Sequence, residues 1–178
     1  MTVGAGSFHS PHPDPAYMGL TIGQGDEDSP VLWGHWNGEV LTVQRLIEDI
    51  LLGVSPSGEL FLTTDPGGWS LHLHRAADGT ELRRLDAEAA MPPPAGDDRP
   101  KWEYDGAFSW DDAAVVGTEE PRHWLVDLAT MAARGPITYP FAVSGPARSA
   151  GPGTWYTVSP DSTAVHLWKL ASEGPSGS

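Results

Sequence analysis

Histidine is the residue of this chain best suited to chemistry, and there are seven of them. His72 and His74 alternate in the run Trp69-Ser-Leu-His-Leu-His-Arg75. A strand there would put both imidazoles on one face, where they could ligate an ion together. Such a pair more often lies against a neighbouring sheet or at a rim, so no metal ion or cofactor is assigned. His9 and His12 are also close, but Pro11 stands between them and no third ligand accompanies them. Gly25-Asp26-Glu27-Asp28-Ser29 and Asp97-Asp98 offer carboxylates to a hard cation, yet neither follows the EF-hand spacing. Nucleophilic catalysis has no visible support: there is no Gly-x-Ser-x-Gly elbow and no cysteine. Carboxylate pairs for glycoside hydrolysis could be drawn from the acidic segments, but spacing singles out none. Gly23-Gln-Gly25 is crowded by acids and opens no helix, so it makes a poor phosphate cradle. No catalytic residue is assigned.

The charge balance narrows the partners. With 24 acidic and 10 basic residues the formal net charge is −14. Binding to nucleic acid relies on Lys and Arg to displace counterions from phosphates, and this chain would be repelled. Anionic membrane surfaces are disfavoured for the same reason. The acidity favours a protein partner with basic character. The absence of cysteine excludes a disulfide framework. No basic segment leads into an apolar N-terminal core, and no apolar run approaches a membrane span, so a soluble, cytoplasmic chain is expected.

Elements able to position these groups recur along the chain. The 21 Gly and 17 Pro are scattered as turn dipeptides, which suits many short strands. From Leu51 to Leu85 the order is strand LLGVS, turn PSG, strand ELFLTT, turn DPGG, strand WSLHLHRA, turn DG, strand TELRRL. In the third strand Trp69, Leu71 and Leu73 face one way, and Ser70, His72 and His74 the other. The same order returns at AFS, AAVVGT, HWLVDLA and ITY (Ile137–Tyr139), and again at FAVS (Phe141–Ser144), TWYTV and AVHLWKLA. A fainter copy opens the chain: SFHS, AYMGLTI, PVLWGHW and EVLTVQRL. Leu41–Gly53 has helical spacing in part, but the repeat requires strand, short turn, strand. Ala87 to Met91 is expected to make one helical turn. The reading is a single all-β domain over 1–178, with units at about 8–46, 47–86, 103–140 and 141–171 and a flexible tail at 172–178.

These strands carry a family resemblance. VHLWKL (Val165–Leu170) resembles the V-R-L-W-D-L strand of WD40 repeats, HWLVDLAT (His123–Thr130) is similar to a variant of it, and VSPSGELFLTT (Val54–Thr64) resembles their S-P-D-G turn and next strand. The Trp-Asp dipeptide itself is replaced by Trp168-Lys169, Val126-Asp127 and His74-Arg75. The resemblance implies a WD40-like β-propeller of about four blades, each a four-stranded antiparallel sheet, used as a protein-interaction or scaffolding module. A hydrolytic propeller of the sialidase or glycosidase type is the alternative. TTDPGGW (Thr63–Trp69) falls one residue short of the Asp box of sialidase-type propellers. A carbohydrate-binding, lectin-like β protein is a further alternative.

In a blade with strands a to d, the b–c turns and d–a connections share one face. On this alignment they hold more than half of the acidic residues. The binding candidates there are Asp26, Glu27, Asp28, Asp65, Asp97, Asp98, Glu119, Glu120 and Asp161, with Trp102 closing the acidic insertion. Core or rim packing is the competing role for Trp102. Trp69, Trp124, Trp155 and Trp168 are expected between blades. Closure is the open question: four blades could close within a monomer or pair in a homodimer.

Overall fold

The computed structural model describes residues 7–22, 29–93, 99–118 and 123–170. Among the described residues, fifteen strands fall into four antiparallel sheets in chain order. Sheet 1 comprises β1 (Ser7–Pro11), β2 (Tyr17–Ile22), β3 (Pro30–Trp36) and β4 (Leu41–Glu48). Sheet 2 comprises β5 (Ile50–Val54), β6 (Leu60–Thr64), β7 (Ser70–Arg75) and β8 (Glu81–Asp86), followed by the single-turn helix α1 (Ala87–Ala90). Sheet 3 comprises β9 (Trp102–Trp110), β10 (Ala113–Thr118), β11 (His123–Asp127) and β12 (Ala132–Pro136). Sheet 4 has three strands, β13 (Ser144–Ser149), β14 (Thr154–Val158) and β15 (Val165–Lys169). In each sheet successive strands pair as a meander, with the first innermost.

Alternation along each inner strand explains how one sheet serves two cores. On β5, Leu51 packs toward sheet 1 with Val31, Trp33 and Phe61, while Ile50 and Leu52 turn toward sheet 3 and meet Phe108 and Val116. On β10, Val115 faces sheet 4 with Ala147 and Trp155, and its neighbours Ala114 and Val116 face sheet 2. Phe61, Leu71, Val115, Val116 and Val126 are essentially inaccessible to water. Each such side chain contributes roughly 1.5–3 kcal/mol by burial. The outermost strands lie in solvent: Leu41 and Val43 on β4, and Val165 and Leu167 on β15, are at least half exposed.

The sheets are also stitched through their turns. His12 Nε2 donates to the Gly58 carbonyl at 3.2 Å, Ser57 N–H donates to Asp111 Oδ1 at 2.9 Å, and Gly153 N–H donates to the Ser109 carbonyl at 2.6 Å. The first two link the first turn of one sheet to that of the next, and the third links the first turn of sheet 4 to the end of β9. On the opposite face Leu51 N–H donates to Thr21 Oγ1, and Trp102 N–H to the Gly68 carbonyl. Packing runs from sheet 1 to 2, 2 to 3 and 3 to 4, and the four sheets form an open arc.

Several local expectations need correction. The fourth strand of sheet 3 is Ala132–Pro136 rather than Ile137–Tyr139, because residues 128–131 turn at once, with Met131 at φ 51°. Glycine usually marks such a turn, and here it is absent. The first strand of sheet 4 is Ser144–Ser149 rather than Phe141–Ser144. A register shift between Ser144 and Arg148 absorbs Gly145 and Pro146. Leu41–Gly53 does form two strands, with Asp49 alone between them, and α1 stands where one helical turn was expected.

Candidate functional site

The densest polar cluster lies on the sheet-1 side of sheet 2. Leu71 and Leu73 fill the opposite core, so Ser70, His72 and His74 share the other face of β7, as their alternation requires. The β6–β7 register sets Thr63 opposite His72 and Phe61 opposite His74. Phe61 stacks on His74 with ring centroids 4.8 Å apart. Asp49, the only residue between β4 and β5, turns inward and is 8% exposed. Its Oδ2 accepts from His72 Nδ1 at 2.8 Å and from Thr63 Oγ1 at 2.8 Å, and lies 3.8 Å from His74 Nε2.

The outer ring nitrogens are anchored as well. His74 Nδ1 donates to the Gly79 carbonyl at 3.1 Å, an assignment forced because a carbonyl only accepts. His72 Nε2 lies 2.8 Å from Ser70 Oγ, whose own hydrogen goes to Asp65 Oδ2 at 2.7 Å. His72 therefore donates from both nitrogens. Its pKa is raised, first by the hydrogen bond to Asp49, against the opposing effect of burial. Burial pushes the Asp49 carboxyl up, but His72, His74 and Thr63 together outweigh it and hold it at about 2.

Ser70, His72 and Asp49 stand in the order of a catalytic relay. However, Ser70 is 1% exposed and its hydrogen is committed to Asp65. Ser70 is therefore not an accessible nucleophile.

A second feature is superficial. Trp69, expected between blades, instead lies on the surface at 40% exposure, because it precedes β7 inside the turn. Lys101 Nζ sits 4.6 Å from its ring centroid, and Tyr104, 46% exposed, donates to the Pro66 carbonyl at 2.5 Å. A nearby cleft of about 260 Å³ is lined by Glu88, Met91, Pro93, Arg99 and Pro100. It is smaller than an ordinary small-molecule pocket.

The residues singled out in the sequence fare differently. Asp26, Glu27, Asp28, Asp97, Asp98, Glu119 and Glu120 lie outside the described residues. Asp65 sits in the β6–β7 turn and builds it, accepting from Gly67 N–H at 2.8 Å and Ser70 N–H at 2.6 Å. Asp161 does the same in the β14–β15 turn through Ser159 and Thr163. Trp102 takes the packing role rather than the binding one: at 1% exposure it is a core residue, buried among Ile50, Leu71 and Met91, and presents no surface to a ligand. Trp124 and Trp155 are buried as expected, and Trp168 is half-buried. Among the described residues, His9 and His12 join no group of three possible ligands, whereas His72 and His74 do, with Asp49. Asp49 is not among the residues singled out in the sequence. The available signal was its position one residue before a strand that must pair near the histidines.

The chain has the fold of WD40-type β-propeller domains. The structure titled U3-55K aligns at a TM-score of 0.60 and 11% identity, over 93% of this chain and 49% of that one. The RRP9 WD40 repeats align at 0.59 and 11%, over 93% and 48%. The β-propeller domain of Cps50 (Swd1) from Myceliophteria thermophila aligns at 0.53 and 13%, over 97% and 59%. The chain thus spans about half the length of the first two. No protein-family model and no curated protein matches the sequence.

Proposed function

We propose that this WD40-like chain is a non-catalytic protein-interaction or scaffolding module that meets a basic protein segment on the face of its b–c turns and d–a connections. The observation that carries this reading is the exposed Trp69 ring with the Lys101 ammonium held over it. A ring that accepts a cation from its own chain at 4.6 Å can accept one from a partner's Lys or Arg. Tyr104 stands beside it, and large aromatics dominate binding energy at interfaces. Asp86, Glu88 and Asp161 are exposed, and Asp65 and Glu103 half-buried, on the same set of connections. Asp26, Glu27, Asp28, Asp97, Asp98, Glu119 and Glu120 add charge to it in the sequence. Negative charge steers a basic partner and aromatic surface retains it.

The test is a titration of the full chain with a Lys/Arg-rich peptide at low and moderate salt, followed by tryptophan fluorescence. Saturable quenching that weakens with salt is expected, and Trp69→Ala is expected to cost about 2 kcal/mol, some thirtyfold in affinity. Binding unchanged by Trp69→Ala and by salt would refute the proposal.

A further inference from the structure

Three side chains, Thr63, His72 and His74, converge on the carboxylate of Asp49. The Thr63 hydroxyl lies 2.8 Å from Asp49 Oδ2 and 3.0 Å from His74 Nε2, so the three side chains meet at one point. With Nδ1 of His74 donating to the Gly79 carbonyl, its Nε2 faces the Asp49 carboxylate at 3.8 Å. The inner nitrogens of both histidines converge on one oxygen while the outer nitrogens are held from behind. Gly79 holds His74, and Ser70 backed by Asp65 holds His72. This is how ligating histidines are oriented in metal sites, where an outer partner fixes the tautomer and aims the other nitrogen.

We infer that Asp49, His72 and His74 form a binding site for one divalent transition-metal ion of zinc type. The three donor atoms lie within 4.8 Å of one another. Two nitrogens and one carboxylate oxygen match zinc's preference, and a tetrahedral ion bound at about 2.0–2.1 Å sets its ligands roughly 3.4 Å apart. The Oδ2–Nδ1 and Oδ2–Nε2 separations of 2.8 and 3.8 Å bracket that value. Glu81 supplies a fourth oxygen at hand, its Oε2 4.0 Å from His72 Nδ1 on a half-exposed side chain. Ser70 is a positioning residue that touches no metal. The ion would tie the β4–β5 connection to β7 at the point where sheet 1 hands over to sheet 2.

The experiment loads the intact chain with Zn²⁺, removes excess by buffer exchange, and measures bound metal by mass spectrometry, with Co²⁺ as a spectroscopic substitute. One ion per chain is expected, with intense visible absorption from tetrahedral Co²⁺. His72→Asn is expected to lose stoichiometric binding, and Ser70→Ala to weaken it about ten- to hundredfold. His9→Ala is expected to leave it unchanged. Far-UV circular dichroism confirms that each variant is folded. Should the His72 variant unfold, the wild-type Co²⁺ spectrum decides alone: the weak spectrum of the hydrated ion overturns the inference. Zn²⁺ retained equally by a folded His72→Asn variant also overturns it, as does a folded wild-type chain that retains none.

Discussion

Gly68 and Gly38 test whether the turn that carries Trp69 is anchored by its neighbour. Both have positive φ, +71° and +101°, so alanine at either strains the backbone. A non-glycine residue in that region costs about 1–2 kcal/mol. Beyond strain the two sites differ. A Cβ at Gly38 meets nothing within 4 Å, whereas one at Gly68 lies 2.4 Å from the Trp102 carbonyl oxygen. That oxygen belongs to rigid backbone at the start of β9. The turn must therefore move, which breaks the 2.8 Å bond from Trp102 N–H to the Gly68 carbonyl. A lost hydrogen bond adds about 1 kcal/mol, more when a buried group is stranded. Gly38→Ala should then lose about 1–2 kcal/mol and Gly68→Ala about 2–3. Urea denaturation with m held common measures both. Equal losses would refute the anchoring, and with it the account of how Trp69 is positioned.

Three further outcomes are expected. Phe61→Ala, at a side chain with no exposed surface, should cost about 3–5 kcal/mol, whereas Leu167→Ala, 68% exposed, should stay within about 0.5, both read by denaturation. Burial pushes the Tyr139 phenol up to about 12 from an ordinary 10. The folded state thus resists ionisation: stability is intact below pH 10, falls as pH climbs from 10 toward 12, and falls less steeply in Tyr139→Phe. β15 ends its sheet with Val165 and Leu167 in solvent, so V165K with L167K should reduce concentration-dependent association in light scattering.

Legibility in the sequence followed the range of the interactions concerned. Turns made by adjacent residues could be read directly: Pro-Ser-Gly at 56–58, Asp-Pro-Gly-Gly at 65–68 and Asp-Gly at 78–79 all lie between strands. So could the sidedness of β7, because alternation is local. Errors arose where geometry broke a local rule. Met131 takes a conformation usually left to glycine, which pulled β12 five residues earlier than expected. The irregular pairing near Gly145 displaced β13 from the apolar Phe141–Val143. Trp69 read as a packed residue, although the turn holds it outside the sheet. The Asp49 cluster was half visible: the histidine pair follows from spacing, but its carboxylate comes from 23 residues earlier and is set by strand register. No local pattern encodes that distance.

The stitching of each sheet to its chain neighbours among the described residues bears on how the protein comes apart. In such a stack, stability is approximately a sum of nearest-neighbour terms, and disorder spreads inward from the ends. Sheet 2 and sheet 3 each have a packed core on both sides, while sheet 4, among the described residues, has three strands and packs on sheet 3. Amide hydrogens should therefore exchange in a gradient, fastest on β15 and slowest on β6 and β10. A ligand that ties sheet 1 to sheet 2 would slow exchange at that end of the gradient and leave the other end unchanged.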